Sequence, residues 1–386
     1  MTINISLKLK TMMIALLASA GAHAQSSSVT LYGILDEGIN FTNNAGSGPA
    51  YKVQSGDIYG SRWGLKGTED LGGGMSAAFR LESGFNGSNG TLSQGGRLFG
   101  RQAYVGLSSS QYGTLTLGRQ YDPTADLFSA LTAAGTWAGD VGATPFDNDN
   151  TDADYRINNS VKYTSPTIAG FTGEAMYGFS NSTGFADNRL VSAAGQYQYA
   201  GLTAAVAYMK IDNPGAGTAG ALTNDSVFGA SSQENIDAGI AYKFAKVMIA
   251  AAYSHTTVDN PTANAYFTTG FQPVNGGGWT AWKFDNFQLN GQYFFMPNFW
   301  IGGSYTYTRG KLDSTAGNYS PKWHAVALML DYDLSARTSL YVQGAYQHVQ
   351  SANTGTQFDD AQILAGAGPS STVNQVVYRV AMIHRF

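Results

Sequence analysis

Cysteine is absent from the 386 residues. That excludes disulfide frameworks, thiol nucleophiles and Cys-ligated zinc or iron–sulfur centres. Charge is scarce as well. Asp, Glu, Lys and Arg make up 12% of the chain, about half the share usual in a soluble domain. No run approaches the roughly 18 uninterrupted apolar residues of a spanning helix. Histidine is sparse beyond the leader, at His255, His324, His348 and His384. The last three fall on outward parity beside aromatics, which suits an interface better than a base or a ligand. What is abundant is Gly (48), Tyr (23) and Phe (20), with aromatics at 13% and a mean hydropathy of −0.16. Few charges, many Tyr and Gly, and no long apolar run point to polar/apolar alternation.

The N-terminus reads as a secretory signal peptide over residues 1–24. Lys8 and Lys10 precede a short apolar core at 12–18, and Ala22-His23-Ala24 forms an A-x-A cleavage pattern before Gln25. The core is too short to span a bilayer. Residues 25–386 then form one domain. Losing two lysines and no acids leaves 20 basic against 26 acidic residues, net −6, which argues against a nucleic-acid partner. An exported chain without a spanning helix is either soluble beyond the inner membrane or a transmembrane barrel.

Segments of about ten residues alternate with period two, so each has two unlike faces. Ile301, Gly303, Tyr305 and Tyr307 oppose Gly302, Ser304, Thr306 and Thr308. Leu340, Val342, Gly344 and Tyr346 oppose Tyr341, Gln343 and Gln347. The polar face is mostly small and uncharged, as a watery lumen allows. The apolar face often ends in Tyr, Phe or Trp, as interfacial girdles require. Strands in hydrocarbon must pair every backbone group, so they must close into a barrel. Short connections such as Ala200-Gly201 and Met296-Pro297-Asn298 alternate with long ones such as 43–60, 120–154 and 351–374. Sixteen segments are counted, the first near 28–42 and the last near 375–386. The fold expected is an all-β, transmembrane antiparallel barrel of 16 strands. In its last strand Tyr378, Val380, Met382, His384 and Phe386 share one face. Tyr378, Met382, His384 and the terminal Phe386 are the expected signal for outer-membrane assembly machinery.

Particular stretches resemble one family. Thr30-Leu31-Tyr32-Gly33-Ile34-Leu35-Asp36, Ser61-Arg62-Trp63-Gly64-Leu65-Lys66-Gly67-Thr68-Glu69-Asp70-Leu71-Gly72, Arg101-Gln102-Ala103-Tyr104-Val105-Gly106-Leu107, Gly113 to Gln120 and Asn158 to Tyr163 are similar, in that order, to the general porins of Gram-negative bacteria of the beta-proteobacterial type. His384-Arg385-Phe386 resembles that family's end, although Ile383 replaces an expected basic residue. The resemblance implies a homotrimer of 16-stranded barrels, with loop 3 folded into each pore. It also implies an outer-membrane location among lipid and lipopolysaccharide. Passage of small hydrophilic solutes and ions would be passive and need no cofactor or metal.

Such a channel needs a charged constriction and no catalytic residue. The loop 120–154 carries seven acids, Asp122, Asp126, Asp140, Asp147, Asp149, Asp152 and Asp154, and no Lys or Arg. Asp122, Asp126 and Asp140 are the acidic candidates. The first two are favoured, and the later run 147–154 reads equally well as a solvated rim or as part of the constriction. Arg62, Lys66, Arg80, Glu82, Arg156 and Lys162 fall on inward parity. The resemblance implies that Arg62, Arg101 and Arg156 form a basic cluster, with Arg80, Lys66 and Lys162 as further candidates. Strict alternation puts Arg101 outward, beside Ala103 and Val105. The stretch 147–152 is faintly like a calcium loop but lacks the Gly at position six and the Glu at twelve. Rival functions are a substrate-specific channel, an adhesin or receptor acting through long loops, and an outer-membrane hydrolase, for which no Ser/His constellation is visible. Ion preference stays open, because acidic net charge and the arginine cluster pull in opposite directions.

Overall fold

The computed structural model describes residues 28–216, 219–268 and 270–386; the expected signal segment 1–24 lies outside the described residues. The wall strands are β1 (Ser28–Thr42), β2 (Arg62–Gly72), β3 (Met75–Gly84), β4 (Gln102–Ser109), β5 (Gly113–Gln120), β6 (Ile157–Thr164), β7 (Phe171–Gly178) and β8 (Arg189–Tyr199). They continue as β9 (Leu202–Asp212), β10 (Ser232–Phe244), β11 (Val247–Asp259), β12 (Trp279–Met296), β13 (Phe299–Ser314), β14 (Lys322–Ser335), β15 (Thr338–Gln350) and β16 (Asn374–Arg385). Two short strands, Ala50–Ser55 and Gly317–Tyr319, join the same 18-stranded sheet, so sixteen make the wall. No helix among the described residues is long and apolar enough to cross a membrane. The crossing is made by strands.

Each wall strand pairs antiparallel with its sequence neighbours, and β1 closes the sheet. Its first half pairs with β2 from Ser28↔Thr68 to Ile34↔Arg62, and its second half with β16 from Ile34↔Arg385 to Thr42↔Val377. Closure leaves no open edge between first and last strands. In hydrocarbon that is decisive, because each unpaired backbone group there costs several kcal/mol.

Register carries the two-faced pattern around the wall. Leu330, Val342, Val380 and Ile39 lie in one cross-strand row on β14, β15, β16 and β1, and all are exposed. One residue along, Met329, Gln343, Arg379 and Asn40 form the next row, and all are buried in the interior. A one-residue slip would exchange the two rows, so the pattern fixes the pairing. The turn between β8 and β9 is Ala200-Gly201, both left-handed at φ 47° and 88°. Glycine takes that conformation freely, and alanine takes it at a cost of about 1 kcal/mol.

The closing seam holds a buried ionic network. Arg379 reaches Asp36 at 2.9 Å and Asp57 at 3.2 Å, with all three side chains sealed from solvent. Tyr341 donates to Asp36 at 2.6 Å and accepts from Arg379 Nε at 2.7 Å. Asp36 also accepts from the backbone N–H groups of Ile58 and Tyr59, drawing the first long connection inward. Towards the long-loop rim an aromatic cluster of Phe146, Trp279, Trp282, Phe284, Trp323 and Phe358 occupies the interior.

Candidate pore constriction

The connection 121–156 between β5 and β6 crosses the lumen. Its apolar residues find small inward-facing partners on distant strands. Leu127, Phe128 and Leu131 pack on Ala194, Ala205 and Ala207 of β8 and β9. Ala133, Trp137, Ala138 and Val141 pack on Ala327, Met329, Tyr341, Ala345 and Ala381 of β14–β16. The ring of Trp137 lies over Gly302, where a Cβ would meet it at 2.9 Å. Backbone groups of the crossing segment bond inward-facing amides. Leu127 O accepts from Gln196 at 2.7 Å, Leu131 O from Asn290 at 3.0 Å and Ala138 O from Gln343 at 2.9 Å. Ala133 N donates to Gln288 at 2.6 Å. The small, uncharged inward face of the late strands thus serves two ends: it admits the segment and satisfies its backbone.

Between this segment and the β2–β6 wall lies a cavity of about 350 Å³. Arg62, Arg101, Arg156 and Tyr121 border it on the wall side, and Asp57, Asp140, Asp152 and Asp154 on the other. Arg101 and Arg156 both donate to the phenol oxygen of Tyr121, at 2.5 and 2.8 Å. Arg101 also pairs with Glu82 at 3.0 Å, and Arg62 stands 3.9 Å from the same carboxylate. Burial alone would raise the Tyr121 phenol. The charges of Arg101, Arg156 and Arg62 outweigh it and bring the phenol down to about 8.

The acidic side behaves differently. Gln54 Nε2 donates to Asp57 at 2.9 Å and to Asp140 at 3.5 Å, which brings these two carboxyls together. Burial, reinforced by Asp140, pushes Asp57 and Asp152 well above the usual carboxylate range. Asp154 rises to about 6, mainly through burial, against the bond it receives from Tyr266. Two like charges about 4 Å apart repel by roughly 4 kcal/mol at an effective dielectric of 20. Protonation of Asp57 or Asp152 relieves that repulsion, whereas the guanidiniums cannot discharge.

The expected residues divide three ways. Arg62, Arg101, Arg156 and Asp140 meet at the cavity. The outward placing of Arg101 is corrected: it precedes β4, so strand parity does not bind it, and its buried side chain turns inward to Glu82. Arg80 and Lys66 gather around Tyr32 instead, Arg80 donating to its hydroxyl at 2.8 Å and Lys66 Nζ standing 5.3 Å from the ring centre. Lys162 bonds Asp126, so these two pair with each other away from the cavity wall.

Asp122 does not face the cavity. It is fully buried, accepting from Thr124 N and Asn150 Nδ2 inside the loop, and burial with Asp126 nearby raises it to about 6. Nor is 147–154 a solvated rim. Asp147 and Asp149 are buried, Asp149 accepting from Ser254 at 2.5 Å, while Asp152 and Asp154 border the cavity. Tyr121, Asp57 and Glu82 were not among the expected site residues. Tyr121 follows β5 immediately, and Glu82 had the right parity. Asp57 carried no local signal, because contacts with residues distant in sequence draw its loop inward, Asp36 to the backbone of Ile58 and Tyr59 and Arg379 to Asp57 itself. Tyr378, Met382, His384 and Phe386 are exposed on the outer face.

A closed barrel, apolar outside and polar within, is the architecture of an outer-membrane channel. The chain belongs to the Gram-negative porin family, whose model matches residues 11–352. It is 33% identical over 380 residues to an outer membrane porin protein of Bordetella pertussis, covering 86% of this chain and 92% of that one. It is 30% identical over 395 residues to outer membrane porin protein 32 of Delftia acidovorans, covering 97% and 98%. Among solved structures, an anion-selective porin from Comamonas acidovorans superposes with a TM-score of 0.71 at 24% identity, over 94% of this chain and all of that one. A trimer form of OmpT from Vibrio cholerae superposes at 0.63 with 13% identity, over 93% and 99%. At these identities the structural likeness shows the fold. The chain is an outer-membrane porin, from a family of channels and not of enzymes.

Proposed function

We propose that this porin passes ions and small hydrophilic solutes by passive diffusion, filtered at the cavity beside residues 121–156, with a preference for anions. The observation that carries the preference is the unequal fate of the two charged walls. Arg62, Arg101 and Arg156 stay charged at neutral pH, while burial, reinforced by repulsion from Asp140, raises Asp57 and Asp152 well above the usual carboxylate range and weakens the negative wall. Local charge decides the sign, because loop charges beyond about 8–10 Å are screened at physiological salt. A solute crossing between these walls meets a transverse field that favours dipolar over apolar molecules. A homotrimer accords with the exposed apolar belt and with the trimeric OmpT relative.

Planar-bilayer recording of the mature protein tests the channel itself. Large, weakly selective steps grouped in threes are expected. An absence of conductance, or small steps blocked by a single solute, would contradict general diffusion.

A further inference from the structure

Below the constriction, on the short-turn side of residues 121–156, lies a second cavity of about 220 Å³. Ile58 and Tyr59 border both cavities, while Ala134 and Gly135 border the upper and Thr136 and Trp137 the lower. The lower chamber joins three aromatic rings, Tyr59, Trp137 and Trp300, to two carboxylates and one guanidinium, Asp331, Asp333 and Arg385.

The charges are arranged as an unpaired couple. Asp331 and Asp333 lie on β14, and Arg385 ends β16, two strands away. Asp333, Ser339 and Ile383 form one cross-strand row, and Arg385 lies two residues further along β16 on the same face. Strands two apart are separated by roughly 10 Å. Among the described residues no ion pair within 4.0 Å joins Arg385 to either aspartate or gives any of the three another partner. Instead Arg385 rests 5.1 Å from the centre of the Tyr59 ring, Asp333 accepts from Ser339 at 2.6 Å, and Asp331 is hydrogen-bonded by Trp300. Opposite charges thus face one another across a gap bordered by flat apolar surface. A second observation points the same way. Trp137 is 2% exposed, borders this cavity, and its indole N–H has no hydrogen-bond partner among the described residues. A buried donor left unpaired costs about 1–3 kcal/mol, which a bound acceptor would recover.

We propose that the lower chamber is a binding site for small zwitterions bearing an apolar or aromatic side chain: free amino acids and short peptides. The ammonium lies towards Asp331 and Asp333, the carboxylate towards Arg385, and the side chain against Trp137 and Trp300. A simple cation or anion satisfies one wall and leaves the other unmatched. A neutral sugar could stack on the rings but uses neither charge. The site rests on the channel reading and refines it, adding retention of one solute class to general diffusion.

The test is current recording on the mature protein in potassium chloride at pH 7, with probes added on the short-turn side. The probes are phenylalanine, phenethylamine, phenylacetate and glucose. Phenylalanine is expected to interrupt the current at a concentration about tenfold lower than phenethylamine or phenylacetate, with glucose inert. This comparison needs no variant. Asp333→Asn and Arg385→Gln should each remove the discrimination. Equal action of the three aromatic probes, interruption by glucose, or unchanged discrimination in both variants would overturn the site while leaving the channel intact. Absence of potassium chloride conductance would overturn the channel reading, and the site with it.

Discussion

A phenol held between two guanidiniums gives up its proton more readily than one in water, and Tyr121 is so held. Its value of about 8 and that of about 6 for Asp154 bracket neutrality. Both ionisations add negative charge to the same cavity. Lowering pH from 7 to 5 discharges Asp154 and should raise anion preference. Raising it from 7 to 9 forms the Tyr121 phenolate, cancels one positive charge and should lower that preference. Reversal potentials recorded across this range check the sign of both steps. Tyr121→Phe should flatten the alkaline step and Asp154→Asn the acidic one; a profile unchanged in both variants would refute these assignments. At this scale the sequence was only partly legible. Arg62 and Arg156 could be found from parity and resemblance. Arg101 defeated parity because it lies just outside its strand. The acids could be counted but not placed, since a loop's path depends on what it packs against and alternation governs only strands.

At the scale of elements, strands and loops differ in how far sequence decides them. Sixteen segments were legible because period-two alternation survives wherever one face meets lipid. Their ends agree with the observed strands to within a few residues; the last, for instance, is expected near 375–386 and runs Asn374–Arg385. The crossing segment showed only its length and acidity. Its anchors are scattered alanines and amides on β8 to β16, which no local pattern joins to it. Trp137 is its largest buried anchor on the β14–β16 side. Removing a buried Trp costs about 3–5 kcal/mol in a packed core. Trp137→Ala should therefore loosen the segment and raise open-channel current noise, with strand content by circular dichroism unchanged. Equal noise would mean that the segment is held elsewhere.

The closing seam offers a separate test. Arg379→Ala leaves Asp36 and Asp57 buried without their cation, and breaking such a pair costs about 3–5 kcal/mol. A lowered urea midpoint in detergent micelles is expected. An unchanged midpoint would show that Tyr341 and Asn40 suffice.

At the scale of the whole molecule, the outer face belongs to lipid and the inner face to water and to residues 121–156. Net charge is a poor guide to such a channel. The chain carries a formal charge of −4, yet three arginines border the constriction cavity, facing carboxyls that burial shifts towards the protonated form. The measurement that bears most directly on this account is the zero-current potential of the open channel under a potassium chloride gradient at pH 7. The account predicts the sign of an anion-preferring pore, reduced or reversed in the combined Arg62→Gln, Arg101→Gln and Arg156→Gln variant. A cation-preferring sign in the unmodified protein, or no change on removing the three arginines, would contradict it.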